Sequence, residues 1–381
     1  VKMIVRNGLV FGADFKFKNC DLEFENGIIT GIGSVEKFTE PTTIDACGAY
    51  IVPGFVDIHT HGCMNHDFSD ADSDGIEKML SHYGKNGTTS ITATTMSLDP
   101  ETLADIVQTV ASYCGKKGYG AVLRGINMEG PFLNKVQCGA QKPENIIAPD
   151  IALFERLHDL SDGNIRLLDI APETSGALEL IRRICKYCKI SIAHTKADYE
   201  TAAAAFKAGA SHVTHMFNAM PTFGHREPGV IGAAFDYADF AEIICDGVHI
   251  HPSVIRAVFQ MFGKDRVCLV SDSIRAAGMP NGEYELGGQT IVLKDGRSNL
   301  AVGGAIAGSA SNLYDCFRNA VKFGIPLEIA VQAASLNPAR AISADSSIGS
   351  LEIGKAADFL ILNRDLEILH VYIGGERVGG C

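Results

Sequence analysis

The chain has no apolar run that approaches the roughly eighteen residues of a membrane-spanning helix. Its first residues, Val1-Lys2-Met3-Ile4-Val5-Arg6, are too short and too alternating for the apolar stretch of a secretory signal. Positive charge is not in excess. Lys and Arg number 33 against 45 Asp and Glu, a formal net charge of −12. That argues against nucleic acid or an anionic membrane as a general partner, although a local basic cluster can still hold a small anion. Internal repeats and low-complexity segments are missing. The 11 cysteines are odd in number and scattered. Together with the absence of a signal segment, they point to reduced thiols in a cytoplasm. Cys185 and Cys188 form a lone CxxC with no second pair, and the spacing suits one face of an apolar helix.

What is present is enough apolar material for a large core: 46% hydrophobic and 20% charged residues in 381. Residues 1 to about 50 read as short strands broken by Gly and Asn, without helix. From Ile51 the texture changes. Apolar strand-like runs alternate with helical segments at intervals of roughly 25 to 45 residues, the rhythm of repeated βα units. The expected strands are Ile51–His59, Thr89–Thr95, Ala121–Glu129, Ile165–Ala171, Ile190–His194, His212–Phe217, Glu242–Asp246 and Val267–Asp272. Expected helices lie at 74–86, 101–115, 151–160, 177–188, 198–208 and 252–262, with a final one near 311–323. This is an α/β chain, and the pattern predicts a (β/α)8 barrel over residues 51–345. A hairpin-rich insertion near 278–304 interrupts it, with Asp295-Gly296 as a turn. The tail is strand-like again. Residues 1–50 and 346–381 are expected to pair as a small β-sandwich domain beside the barrel.

The polar residues gather at the ends of these strands, where barrel chemistry sits. His59 and His61 close the first strand, and their i, i+2 spacing turns both imidazoles to one side. Glu129 closes the third strand, His194 the fifth, His215 the sixth and Asp272 the eighth. A carboxylate closing an apolar strand is costly to bury unless it is paired or ligates a metal. The donor set is nitrogen and oxygen without thiolate, which suits Zn, Fe, Co or Mn and does not choose among them. A divalent cation at such a site acidifies water, and Asp272, alone on the last strand, is the candidate general base and then acid.

These segments resemble the amidohydrolase superfamily: P-G-F-V-D-I-H-T-H-G, N-M-E-G-P-F, A-H-T, T-H-M-F-N-A-M, R-E-P-G, D-G-V-H and S-D-S. Within it they resemble the N-acetylglucosamine-6-phosphate deacetylase family, over essentially the whole chain. The resemblance implies a barrel with a small β-sandwich, a homodimer, and hydrolysis of the acetamide of a phosphorylated amino sugar. It implies Glu129, His194 and His215 as main metal ligands, and His59 and His61 at a second metal position, hence one or two ions. It implies Asp272 as acid and base. Ala140, Gln141, Asn218, Ala219, Arg226 and His249 match substrate-holding positions, some able to act across the dimer, and Ile306, Ala307 and Gly308 match a substrate-contacting loop.

Two residues depart from the family pattern. Gln141 stands where a histidine is expected near the acetyl carbonyl, and a Gln amide donates a hydrogen bond but carries no charge. Ser273 follows Asp272 where a smaller residue is more usual. One rival reading is a non-catalytic barrel serving as a scaffold, which loss of ligands would mark, yet all five ligands and Asp272 are present. Another is a cyclic amidase or deaminase, which a strand-end carboxylated Lys would favour. Glu129 stands in that place instead.

Overall fold

A computed structural model describes residues 2–33 and 42–379. Residues 1, 34–41, 380 and 381, all within the expected flanking domain, lie outside the described residues. Eight strands, Phe55–Asp57, Thr88–Thr95, Val122–Met128, Ile165–Ile170, Lys189–Ile192, His212–Val213, Phe240–Ile244 and Val267–Val270, pair in parallel in chain order. Each is followed by a helix: Ser73–Lys85, Pro100–Ala111, Ile151–Leu160, Ala177–Ile184, Tyr199–Ala208, Gly229–Tyr237, Pro252–Phe262 and Leu313–Lys322. Four of these helices begin on an aspartate. The carboxylates of Asp72, Asp99, Asp150 and Asp198 accept backbone N–H groups of the first turn, each contributing about 1 kcal/mol. The arrangement is the expected (β/α)8 barrel.

The sequence rhythm passed over the helix Gly229–Tyr237. It opens behind Pro228, and Gly232 lies inside it, so it carries breaker residues where helices usually carry formers. The structure shows why Gly232 is there. A Cβ at that position would overlap the Pro228 ring.

The first expected strand, Ile51–His59, is two strands in the structure. Tyr50–Pro53 joins a second sheet, and Phe55–Asp57 joins the barrel. Gly54 is the joint. Its N–H donates to Asp358 O at 2.9 Å, and the next N–H, of Phe55, donates to Gly87 O at 3.1 Å. His212–Phe217 is likewise shorter than expected and ends at Val213.

The second sheet runs Glu376–Gly379, Ile368–Ile373, Phe359–Leu362, Tyr50–Pro53, Lys2–Phe11, Phe17–Glu25, Ile28–Gly33, with Thr42–Asp45 beside Lys2–Phe11. Head and tail of the chain meet where Phe359–Leu362 pairs antiparallel with Tyr50–Pro53. The two-residue period of these strands serves two cores at once. Ile51, Phe359 and Ile361 face the core of the second sheet. Their neighbours Val52, Leu360 and Leu362 face the barrel's outer core. The insertion is a three-stranded antiparallel sheet, Gly282–Leu286, Gln289–Lys294 and Arg297–Leu300. Leu286, Ile291 and Leu293 pack it against Met96, Ile274 and Ala307 at the barrel mouth.

Among the described residues no helix is long and apolar enough to cross a membrane. The described cysteines are free. Cys188 is buried in the core and Cys185 is exposed.

A Cβ at Gly54 would collide with the side chain of Thr89, itself buried in the second barrel strand. Gly54→Ala is therefore expected to lower stability by about 1–3 kcal/mol, read as a shift in the urea midpoint. An unchanged midpoint would show that Thr89 yields and that the joint is not tight.

Candidate active site

The barrel closes at the site. Between the first and eighth strands the seam is made by residues just beyond them. Asp272 N–H donates to His59 O at 2.9 Å, and His61 N–H donates to Ser273 O at 2.8 Å. Below, the Asp57 carboxylate accepts from the N–H groups of His59 and Ser271, both at 3.3 Å. Three of the expected ligand and acid/base residues also have left-handed backbones, His194 at φ 42°, His215 at φ 26° and Asp272 at φ 49°. Non-glycine residues adopt this region at a cost of about 1–3 kcal/mol each. The surrounding strand ends must hold them there, and the result is that each side chain turns inward.

The six predicted strand-end residues meet. Glu129 Oε1 lies 2.9 Å from His215 Nε2, 3.1 Å from His194 Nε2 and 3.5 Å from His59 Nε2. Glu129 Oε2 lies 3.3 Å from His61 Nε2. Asp272 Oδ1 is 3.6 Å from His59 Nε2 and 3.5 Å from His61 Nε2. All six are buried. His194 Nε2 and His215 Nε2 are only 3.1 Å apart. Two imidazole nitrogens that both present lone pairs, or both present protons, repel at that distance. A shared cation removes the repulsion, and ligands about 2.0–2.1 Å from a zinc-like ion stand about 3.3–3.4 Å from each other in a tetrahedron. His59 Nε2 is buried without a hydrogen-bond partner. The residues therefore fit a divalent cation. Ligand atoms converge in two overlapping groups, His59 with His61 and Asp272, and His59 with Glu129 and His215.

The electrostatics agree. Burial alone would raise the Glu129 carboxyl, but the facing imidazoles of His194, His215 and His61 hold it well below the ordinary carboxylate range. Asp272 is likewise raised by burial and brought below its ordinary value by His61, His59 and His215. Burial pushes the His61 imidazole down, yet Asp272 and Glu129 lift it to about 10. His59 is also lowered by burial, and Glu242, Asp272 and Glu129 outweigh this and raise it well above 6.5. Such a cluster calls for positive charge at its centre, from protons or from a metal.

A supporting layer, not singled out from the sequence, aims these ligands. Glu242 is fully buried. Its carboxylate accepts from His59 Nδ1 at 3.0 Å, His212 Nε2 at 3.0 Å and the His215 N–H at 3.2 Å. With Nδ1–H committed there, His59 turns its Nε2 lone pair to the centre. His194 Nδ1 donates to Gln137 O at 2.8 Å with the same effect. The available signal was a glutamate inside the apolar run F-A-E-I-I, which has no reason to be buried unless it is bonded. Ser273 also finds its reason here. Its hydroxyl lies 2.7 Å from Thr60 Oγ1 and 3.0 Å from Tyr83 OH, and donates to Gly62 O at 3.0 Å.

Above the ligands is a cavity of about 290 Å³. Asn218, Ala219, His249, Ala140, Gln141, Ile306 and Gly308 line it. His249 is held by Asp246, whose carboxylate accepts its Nδ1–H at 2.7 Å. Two expected substrate contacts do not reach this cavity. Ala307 is fully buried, packed under the hairpin sheet with Met96 and Ile274, because its chain neighbours Ile306 and Gly308 take the exposed face. Arg226 is exposed on the loop before Gly229–Tyr237. It lines a separate depression with Lys196, Tyr199 and Pro228, and its Nη1 lies 2.8 Å from His225 Nε2.

The model of the amidohydrolase family matches residues 50–378, spanning the barrel and the returning tail strands. The chain belongs to the amidohydrolase family. Among individual amidohydrolases it is 34% identical to N-acetylglucosamine-6-phosphate deacetylase of Bacillus subtilis, over 92% of this chain and 91% of that one. It is 32% identical to N-acetylgalactosamine-6-phosphate deacetylase of Escherichia coli O157:H7, over 93% of each chain. Its fold superposes on a Mycobacterium smegmatis N-acetyl-D-glucosamine-6-phosphate deacetylase variant, solved with N-acetyl-D-glucosamine-6-phosphate, with a TM-score of 0.91 and 32% identity. That match covers 100% of this chain and 99% of the other.

Imidazoles must be neutral to ligate a metal. Facing carboxylates raise both His59 and His61, and His61, lifted to about 10, carries a proton at pH 7 in the metal-free protein. Zinc binding at pH 7 is expected to release at least about one proton per chain, read with an indicator dye in weak buffer. The release should shrink as pH rises towards the His61 value of about 10. Binding without release would show that these imidazoles are not displaced of protons by the ion.

Proposed function

We propose that this amidohydrolase hydrolyses the acetamide of N-acetyl-D-glucosamine 6-phosphate to D-glucosamine 6-phosphate and acetate, a step of amino-sugar catabolism. One observation carries the reading: Glu129, His194 and His215 converge within 3.1 Å of one another under a cavity that Asp272 also faces. Glu129, His194 and His215 would hold a divalent cation, with His59 and His61 available for a second position. When bound, the cation supplies Lewis acidity, which acidifies water and polarises an amide carbonyl.

The chain's own residues do the rest. Asp272, ionised at neutral pH, takes the proton of the attacking water as the new C–O bond forms at the acetamide carbon. It then returns that proton to the nitrogen as the C–N bond breaks, so the sugar leaves as an amine. Glu242 and Gln137 keep His59 and His194 in the tautomers that present Nε2. Asn218, Ala219 and His249 hold the sugar phosphate at the far side of the cavity, and Ile306 and Gly308 close over it. Gly139, Ala140 and Gln141 form the opposite wall.

Arg226 lies outside its own chain's cavity, and we read it as reaching the phosphate bound by a second copy in a homodimer. A guanidinium suits that task through its paired donors. The gluco configuration follows the names of the Bacillus subtilis and Mycobacterium smegmatis relatives. The free thiols fit a reducing cytoplasm.

Acetate release from N-acetylglucosamine 6-phosphate tests the reading. Wild-type protein should release acetate, chelation should stop it and added metal should restore it. Asp272→Asn should lower kcat about 10²–10⁴-fold with metal content unchanged. No release from loaded wild-type protein would overturn the assignment, and near-normal turnover of the variant would remove Asp272 from its role. Arg226→Ala should raise KM for the phosphorylated sugar about 10- to 100-fold, the value of a charged hydrogen bond. Equal effects on phosphorylated and unphosphorylated sugar would show that Arg226 does not read phosphate.

A further inference from the structure

Gln141 stands where the family resemblance leads one to expect a substrate-contacting histidine, and its amide is already engaged. Nε2 donates to Glu129 Oε2 at 2.6 Å, and Oε1 accepts the backbone N–H of Ser97 at 2.7 Å. The side chain is 3% exposed. Ser97 follows the second barrel strand and Glu129 the third, so this one carboxamide ties two strand ends together. Its anchor is itself fixed, because Ser97 O accepts from Asn145 Nδ2 at 2.9 Å and Ser97 Oγ donates to Glu129 O at 3.4 Å. The preceding carbonyl, Ala140 O, accepts from Gln289 Nε2 of the hairpin sheet at 2.6 Å.

We propose that Gln141 is a positioning residue for the metal site, locking the rotation of the Glu129 carboxylate. With Oε2 held by the amide, Oε1 is left facing His194 and His215, and Oε2 keeps its remaining lone pair towards His61. A carboxamide suits this task because it offers a donor and an acceptor side by side. It is also neutral. A protonated imidazole in the same place would set a positive charge against the incoming cation and weaken its binding, whereas Gln141 leaves the full charge of Glu129 for the metal. The same amide connects the ligand to the loop that roofs the cavity, and that loop is joined to the hairpin sheet through Ala140 O.

The proposal rests on the reading of Glu129 as a metal ligand, and one titration separates the two. Metal-free protein is titrated with Zn²⁺ against a chromophoric chelator. Gln141→Met keeps the volume but loses both hydrogen bonds, and is expected to raise the zinc Kd about 10- to 100-fold, as loss of an outer partner of a ligand does. Gln141→Ala should do the same. The melting temperature of each metal-free variant serves as the fold control, and for Gln141→Met it should stay close to wild type. Zinc affinity within about twofold of wild type in folded Gln141→Met, with a raised KM for the sugar phosphate, would make Gln141 a substrate contact and overturn the proposal. Unchanged zinc affinity in Glu129→Gln would instead overturn the ligand reading beneath it.

Discussion

One carboxylate organises this molecule. Glu129 faces the Nε2 atoms of four imidazoles at 2.9 to 3.5 Å in a buried pocket. Any one of these groups alone would be expensive to place there, since burial raises acids and lowers bases. Together they offset each other, and the balance demands a positive charge at the centre. The barrel supplies what a smaller fold cannot: eight strand ends arranged in a ring, so residues 59 to 272 approach one point from different directions.

That convergence is also what closes the sheet. The seam between the first and eighth strands is carried by main-chain hydrogen bonds of His59, His61, Asp272 and Ser273, the residues that also line or adjoin the site. Stability and chemistry share the same atoms there. The cost of the left-handed backbones at His194, His215 and Asp272 belongs to the same account. A strained conformation persists only where its surroundings over-determine it, and here the surroundings are the paired strand ends and the buried carboxylates Asp57 and Glu242 beneath them. The supporting layer explains how flexible histidines become rigid donors: Glu242 and the Gln137 carbonyl each occupy one ring nitrogen and thereby aim the other.

The roof of the cavity is built differently from its floor. The floor is strand ends, fixed by the sheet. The roof is the loop around Gly139, Ala140 and Gln141, the hairpin sheet and the turn at Ile306 and Gly308, tied by main-chain bonds such as Ala307 N–H to Ser298 O and side-chain bonds such as Gln289 Nε2 to Ala140 O. Arg226 stands apart from both, on an exposed loop beside its own depression. A separation of rigid ligands from adaptable walls is what a barrel enzyme uses to keep one chemistry while varying its substrate.

From the sequence alone, the alternation of apolar runs and helices determined the barrel. The placing of His59, His61, Glu129, His194, His215 and Asp272 at run ends determined that they would share a rim, because period and strand polarity are local properties. Strand length was less legible: the chain passes from one sheet to the other at Pro53-Gly54, inside an otherwise apolar run, and Thr89 leaves no room for a Cβ at the joint. The tertiary structure alone decided which partners aim the ligands. Glu242 and Gln141 act through contacts across 183 and 12 residues of chain, which no spacing rule encodes. It also decided that Ala307 turns into the core while Ile306 and Gly308 face the cavity, and that Arg226 lines a separate depression. Side-chain direction in loops is set by whatever packs above and below them, and that is settled only when the chain has folded.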